Sequence, residues 1–334
     1  MTPYFEKPKF RLYNADCMEL MKTIPSKSQN IIICDPPYFE VKGKFDFIWT
    51  SFDEYLKDVE KWAKEIKRIL ADNGTLFWWG NSKKIAYSQI IIDRYFNLES
   101  SLVWRKIDSM QYQYYSVDLS RCFNSHNERL LMYSNDYEPG DWSKTGGERV
   151  FEEKIKPNHP FALYMRTEFK RAKISNKEIS RLFPSKNGGL TGCVSNWLNG
   201  DNTPTKEQYL KIRDFLNGEY LTKKYEDLRL EYEEQRRVFN NTMKLEDVLE
   251  FSQESSVTVQ YKHPTQKPPK LCRSILSICS KKGQNLFIPF SGSGVEAIEG
   301  FNLGLNVTAS ELDLDYCKAS IERYKKETAQ LSMF

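Results

Sequence analysis

Four consecutive residues, Asp35-Pro36-Pro37-Tyr38, end the apolar run "IIIC" at 31–34. The run is rich in β-branched isoleucine and reads as a buried strand over 29–35. A turn explains one proline, but the whole order suits chemistry better. Asp35 would stand at the strand's carboxyl end as a hydrogen-bond acceptor. Pro36 and Pro37 stiffen the loop and fix the direction of the Pro36 carbonyl. Two acceptors held this way can grip both hydrogens of an amino group. The exocyclic amine of a nucleobase is a weak nucleophile, because its lone pair is delocalised into the ring. Acceptors on its hydrogens favour a pyramidal nitrogen and offset the positive charge that develops during attack. Tyr38 offers a flat face on which a base could stack. A base inside a duplex cannot reach such a pocket and must be flipped out. The bland alternative is a strand-ending turn with a tyrosine lid. Average residue usage produces this tetrapeptide by chance in about one chain in a thousand of this length, which argues for the chemical reading.

A second segment, "LFIPFSGSGVEAIE" at 286–299, places Gly292 and Gly294 between a strand and a helix. Glycines there permit a sharp turn and close approach of backbone to a ligand. The next strand ends on Glu311, where an acid commonly accepts ribose hydroxyls. The series points to a nucleoside-bearing cofactor. There is no GKS or GKT, which argues against a phosphate loop, and no third glycine for a dinucleotide fingerprint.

These residues need a sheet to bring them together. Ser51-Phe52-Asp53-Glu54 fits a capping box. Tyr55, Val59, Trp62, Ile66 and Ile69 then recur at helical spacing, up to a stop at "DNG", 72–74. "TLFWWG", Leu102–Trp104 and Arg129–Tyr133 read as strands, so the first 135 residues alternate in the manner of a parallel α/β sheet. The α/β texture returns at 263 and runs to a closing helix. Between them, 154–186 holds nine Lys/Arg against two Glu, and 219–250 is strongly charged and reads as helical. Within this block, "SNKEISRLF", "LTGCVSNWLNG" and "TPTKEQYLKIRDFL" read as three helices resembling a helix-turn-helix unit with a long turn. Lys170, Arg171 and Lys173 could neutralise phosphates, and Arg181, Ser195 and Asn196 could reach base edges. A solvated helical cap is the plain alternative.

The totals set bounds. The chain has 334 residues with a net charge of +4, seven scattered cysteines and three histidines. No CxxC pair occurs, so neither a disulfide scaffold nor a metal site is expected, and a reducing cytoplasm is the natural setting. Cys34, Cys122 and Cys193 read as packing residues. No apolar run approaches membrane-spanning length, so no membrane association is expected.

Taken together, the segments resemble a known family: the S-adenosylmethionine-dependent amino-group DNA methyltransferases, in the permuted motif order of the β class. "YNADCMELMKTIPSKSQNIIICDPPY" resembles the family's opening unit, and "FDEYLKDVEKWAKEIKRILADNGTLFWW" its next helix and strand. "HNERLLMYSN", "HPTQKP" and "FSGSG" with Glu311 follow in family order. The resemblance implies a Rossmann-like sheet with a catalytic half at 1–135, an inserted, mainly helical target-recognition domain at 136–259 and a cofactor half at 260–334. It implies Asp35, Pro36, Pro37 and Tyr38 as catalytic. It implies S-adenosyl-L-methionine held by Asp16, Cys17, Asp35, His263, Lys267, Phe290, Ser291, Gly292, Ser293, Gly294 and Glu311. A helix cap is the other reading of His263 and Lys267. Double-stranded DNA is the implied partner, with a cognate restriction endonuclease or a second copy of the chain as further ones. Ile288 departs from the family, which carries an Asp there. Asp leading the tetrapeptide favours adenine-N6 as target. Cytosine-N4 is the alternative, and a non-catalytic DNA-binding protein is the alternative of another class. RNA or a protein glutamine is a third substrate reading, disfavoured by the basic block.

Overall fold

The computed structural model of the chain describes all residues except 42–43, 108–125, 136–158, 254–262, 264, 332–334 and the side chains of 329–331. Cys122, Pro264 and residues 136–158 of the expected insertion lie outside the described residues. The chain forms two compact units, one of Met1–Pro139 with Arg237–Phe334, the other of Gly140–Arg236.

The first unit runs β1 (Phe5–Lys7), β2 (Phe10–Asn14), α1 (Cys17–Thr23), β3 (Gln29–Cys34), a 3-10 turn (Lys44–Phe47), α2 (Phe52–Ile69), β4 (Leu70–Asn81), α3 (Ile85–Ile92), β5 (Asn97–Ile107) and β6 (Asn127–Ser134). The second unit supplies α4 (Pro160–Arg171), α5 (Asn176–Ser180), α6 (Cys193–Asn199), α7 (Lys206–Phe215) and α8 (Tyr225–Gln235). The first unit then resumes with β7 (Val248–Ser252), α9 (Pro269–Cys279), β8 (Asn285–Ile288), α10 (Val295–Asn302), β9 (Asn306–Glu311) and α11 (Leu314–Leu331).

The nine strands among the described residues form one sheet in the order β1-β2-β9-β8-β3-β4-β6-β5-β7. From β2 to β4 the pairing is parallel, whereas β6 runs antiparallel to both β4 and β5. Both faces are covered, and the period of two explains how. Ile31, Ile33, Phe77 and Trp79 join one core with α9, α10 and α11, while Ile32, Cys34, Leu76 and Trp78 join the other with α1, α2 and α3. Helix α2 buries the expected Tyr55, Val59, Trp62, Ile66 and Ile69, each worth roughly 1.5–3 kcal/mol.

Three local expectations need correction. Ser51 accepts from the Glu54 N–H, but the Glu54 carboxylate turns to the N–H and hydroxyl of Thr50, so only half a capping box forms. The helix stops at Ile69 rather than at 72–74. Leu70 already pairs with Gln29, and 72–74 lie in a bulge before Thr75 pairs with Ile31. The stretch 219–250 is helical only over α8, and β7 pairs in parallel with β5. Residues 237–252 therefore belong to the first unit, and the insertion is shorter than 136–259.

Strand β3 crosses through α2 to β4 on one side, and β8 crosses through α10 to β9 on the other. The adjacent carboxyl ends of β3 and β8 thus meet at a topological switch point, where open α/β sheets bind ligands.

Candidate active site at the switch point

Asp35 follows β3 at this edge. Its Oδ2 accepts from Lys267 Nζ at 2.5 Å, and its Oδ1 accepts from the Tyr38 hydroxyl at 2.7 Å. Lys267 is fully buried, at 1% exposure, and lies 4.9 Å from the Trp79 ring centroid. Its ammonium also sits 3.3 Å from Glu128 Oε2, while Lys106 donates to Glu128 Oε1 at 2.6 Å. Burial raises the Asp35 carboxyl above its ordinary range, although Lys267 and the Tyr38 hydroxyl oppose the rise. With an ammonium and a phenol donating at these distances, the pocket holds the carboxylate form. Burial alone would lower the Lys267 ammonium, but Asp35 and then Glu128 lift it above its ordinary range. Glu128 is lowered, because Lys267 and Lys106 outweigh its burial.

Tyr38 departs from expectation. The ring is 7% exposed, the hydroxyl is committed to Asp35, and the backbone N–H donates to Asp46 Oδ1 at 2.5 Å. Its face is therefore not open for stacking in this conformation. Pro36 is buried and Pro37 half-buried beside it.

The glycine loop runs from Phe290, which packs on Trp62, into α10. Gly292 and Gly294 have φ of +51° and +81°. A Cβ on Gly292 would come 2.9 Å from His263 Nε2, and one on Gly294 would come 2.2 Å from Ser320 Oγ. Only glycine fits here, and the turn exposes backbone to a ligand. The Glu311 carboxylate accepts from the N–H groups of Gly292 at 2.7 Å and Asp313 at 2.8 Å. Burial raises its carboxyl against those two donors. Ser293 Oγ donates to Gln266, as does Arg323, so the loop and the 263–268 segment are tied together. Among the described residues, the buried Ser291 hydroxyl meets no hydrogen-bond partner. A backbone cradle, an orphaned hydroxyl and an acid at the end of the neighbouring strand suit a nucleoside with a polar tail.

Other predicted residues divide. The Ala15 N–H donates to the Glu311 carbonyl, which brings the exposed Asp16 to this edge, where its carboxylate caps α1 through Met18 and Glu19. The Cys17 side chain is buried in the core, and burial raises its thiol well above its usual range, so only its backbone is available. His263 stacks on Phe45 at 5.8 Å and meets Tyr316 edge-on. Lys267 faces Asp35 rather than the glycine loop, and α9 begins two residues later. Glu128, Lys106, Asp46, Gln266 and Arg323 were missed. Glu128 left a trace as a charge opening an apolar strand, and Gln266 as a member of HPTQKP.

The second unit has its own core, including Phe161, Met165, Ile179, Val194, Trp197 and Tyr209. Capping boxes start α5 at Ser175 and α7 at Thr205. Lys170, Lys173, Arg181, Ser195 and Asn196 are exposed. Arg171 is exposed too, but its guanidinium is held by Glu168 at 2.9 Å and the Glu219 carbonyl at 3.1 Å, over the Tyr220 ring. Part of its guanidinium is thus engaged within the unit, while the side chain stays half exposed.

The family model described as DNA methylase, of the N6 and N4 methyltransferases, matches residues 29–322. The chain belongs to this family. Type II methyltransferase M.BamHI of Bacillus amyloliquefaciens is 34% identical over 142 residues, 42% of this chain and 32% of that protein. Type II methyltransferase M.HinfI of Haemophilus influenzae is 27% identical over 230 residues, 56% of this chain and 62% of that protein. The matched stretch thus spans about a third of the first relative and under two thirds of the second. The family likeness extends to solved folds. The cytosine-N4-specific PvuII DNA methyltransferase superposes with a TM-score of 0.56 at 13% identity, over 96% of this chain and 88% of that one. The M1.HpyAVI–SAM complex gives 0.51 at 16%, over 94% and 98%. The expected α/β methyltransferase sheet is the fold these structures share. Among the described residues no helix is long and apolar enough to cross a membrane.

Proposed function

We propose that the chain methylates the N6 amine of a flipped-out adenine in double-stranded DNA, as the modification enzyme of a restriction-modification pair or on its own. The observation that carries this reading is the Asp35 carboxylate, fixed by Lys267 and Tyr38 at the switch point beside the glycine loop. S-adenosylmethionine supplies the electrophilic methyl group. Asp35 accepts a hydrogen bond from the target amine and offsets the charge growing on nitrogen, whose surplus proton then passes to solvent. Lys267 and Tyr38 hold Asp35 in one orientation. Gly292 and Gly294 would bring backbone against the cofactor, Glu311 would accept hydrogen bonds from its ribose hydroxyls, and Asp16 would serve its adenine. Ile288 is 1% exposed and apolar, so it cannot hold the methionine ammonium, and that task passes to other groups.

The second unit is proposed as the target-recognition domain. Support comes from α5 and α6, two short helices joined by a long turn, with Ser195 and Asn196 exposed on the second. Sequencing modified bases in DNA from cells expressing the protein tests both levels. N6-methyladenine at one motif is expected. N4-methylcytosine instead would overturn the adenine reading, and unmodified DNA would overturn the activity.

A further inference from the structure

Both groups that hold Asp35 have a second carboxylate within reach. Lys267 Nζ lies 2.5 Å from Asp35 Oδ2 and 3.3 Å from Glu128 Oε2. The Tyr38 hydroxyl donates to Asp35 Oδ1 at 2.7 Å and lies 3.5 Å from the same Glu128 Oε2. One oxygen of Glu128 therefore faces both donors, each time from further away than Asp35. Its other oxygen, Oε1, accepts from Lys106 Nζ at 2.6 Å. Lys106 in turn lies over the Trp104 ring, 4.8 Å from the centroid. The series Lys106, Glu128, Lys267, Asp35 alternates in charge and crosses from β5 and β6 to the segment before α9 and the end of β3. Its side chains are largely buried, with exposures between 1% and 18%.

Burial makes this sharing matter, because charges couple more strongly away from water. An ammonium and a phenol given wholly to Asp35 would neutralise it and leave a weak acceptor for a third donor. Glu128 draws on the same two donors and sets its own negative charge beside Asp35. Electron density thus stays on the Asp35 oxygens. The Asp35 carboxyl agrees in sign: Glu128 raises its proton affinity, whereas Lys267 and the Tyr38 hydroxyl lower it. Other groups complete the surroundings. Glu296 of α10 lies within electrostatic reach of Asp35 and Lys267, and Arg323 of α11 acts on Glu296 in turn. Cys34 of β3, Cys272 of α9 and Tyr55 of α2 also lie within reach of Asp35, and burial keeps all three uncharged. Glu128 is set apart by its approach to both donors of Asp35.

We propose that Glu128 is a positioning residue for methyl transfer: it shares Lys267 and Tyr38 with Asp35 and so keeps Asp35 a strong acceptor for the target amine, while Lys106 anchors Glu128. The inference rests on the role proposed above for Asp35. Its signature is a sign opposite to that of Lys267. Loss of Lys267 raises the Asp35 carboxyl. A neutral side chain in place of Glu128 lets Lys267 and Tyr38 settle fully on Asp35 and lowers it. Asp35 then ionises at lower pH, but the ionised form is a weaker acceptor.

Single-turnover methyl transfer to DNA, measured at saturating cofactor along the acid limb of the pH profile, reads both effects. Glu128→Gln should move the limb to lower pH by about one unit. The plateau rate should fall by up to about tenfold, the equivalent of one pKa unit. Glu128→Asp, which retracts the carboxylate from both donors, should move the limb the same way by less, and it carries the test if the amide variant does not fold. A slower reaction with an unmoved limb, or a limb moved upward, would overturn the proposal and leave Glu128 a structural residue. Wild-type rates from Asp35→Asn would instead overturn the role of Asp35, and this proposal with it.

Discussion

Lys267 reaches the Asp35 carboxylate across 232 residues of chain, Nζ to Oδ2 at 2.5 Å. The contact joins the segment before α9 to the end of β3, so neither half of the first unit holds the centre alone. A buried pair of this kind is costly to break one-sidedly, because the survivor remains buried and charged.

Asp35→Asn keeps the shape and removes the charge. Methyl transfer should fall by roughly 10²–10³-fold, the cost of deleting one preorganised electrostatic partner. Radiolabelled transfer to DNA measures this, with far-ultraviolet circular dichroism to confirm folding. A near-wild-type rate would remove Asp35 from the chemistry.

Lys267→Met strands Asp35 and leaves Glu128 with Lys106 alone. Stability should drop by roughly 3–5 kcal/mol, read from urea unfolding. The pH dependence should also move. Without Lys267, only the Tyr38 hydroxyl opposes the effect of burial on Asp35, and its carboxyl rises further. The ionised form then appears at higher pH, so the acid limb of the rate profile shifts upward. An unmoved limb would mean that Lys267 does not set the charge of Asp35.

At the cofactor edge, Glu311→Ala removes two accepted N–H bonds from the loop as well as the proposed ribose contacts. S-adenosylmethionine affinity should weaken by roughly 1.5–3 kcal/mol for each hydrogen bond to the charged acceptor that disappears. Calorimetry showing unchanged affinity would exclude Glu311 from the site.

In the second unit, Lys170, Lys173 and Arg181 replaced together by Ala should flatten the log–log salt dependence of DNA binding by about 0.9 for each phosphate left without its cation. Cofactor affinity should not change. Arg171→Ala should lower thermal stability instead, because its guanidinium ties α4 to the Glu219 carbonyl. An unchanged salt slope in the triple variant would place those three residues on a solvated face.

What was legible in the sequence was local. The tetrapeptide at 35–38, the glycines at 292 and 294 and the acid at 311 each lie within one strand-loop unit, so short-range pattern found them. The role of Lys267 was not legible, because its partner is fixed by sheet order and not by spacing. The second contact of Tyr38 was hidden for a related reason: its hydroxyl has a destination, Asp35, that only packing reveals. Strand β7 was read as helix because it is a short edge strand in a charged stretch, with Leu249 its only buried residue.

The strand order also sets a timetable for folding. β8 and β9 occupy the middle of the sheet, between β2 and β3, yet they are among the last segments to be synthesised. Until residues 285–311 emerge, β2 lacks its parallel neighbour and β3 has one bare edge. The second unit, with a self-contained core, can close first. Late insertion of central strands is a long-range pairing problem, slow and prone to misassociation. Nascent or truncated chains that stop short of β8 should therefore be captured by chaperones or aggregate, while the helical unit inside them is already folded.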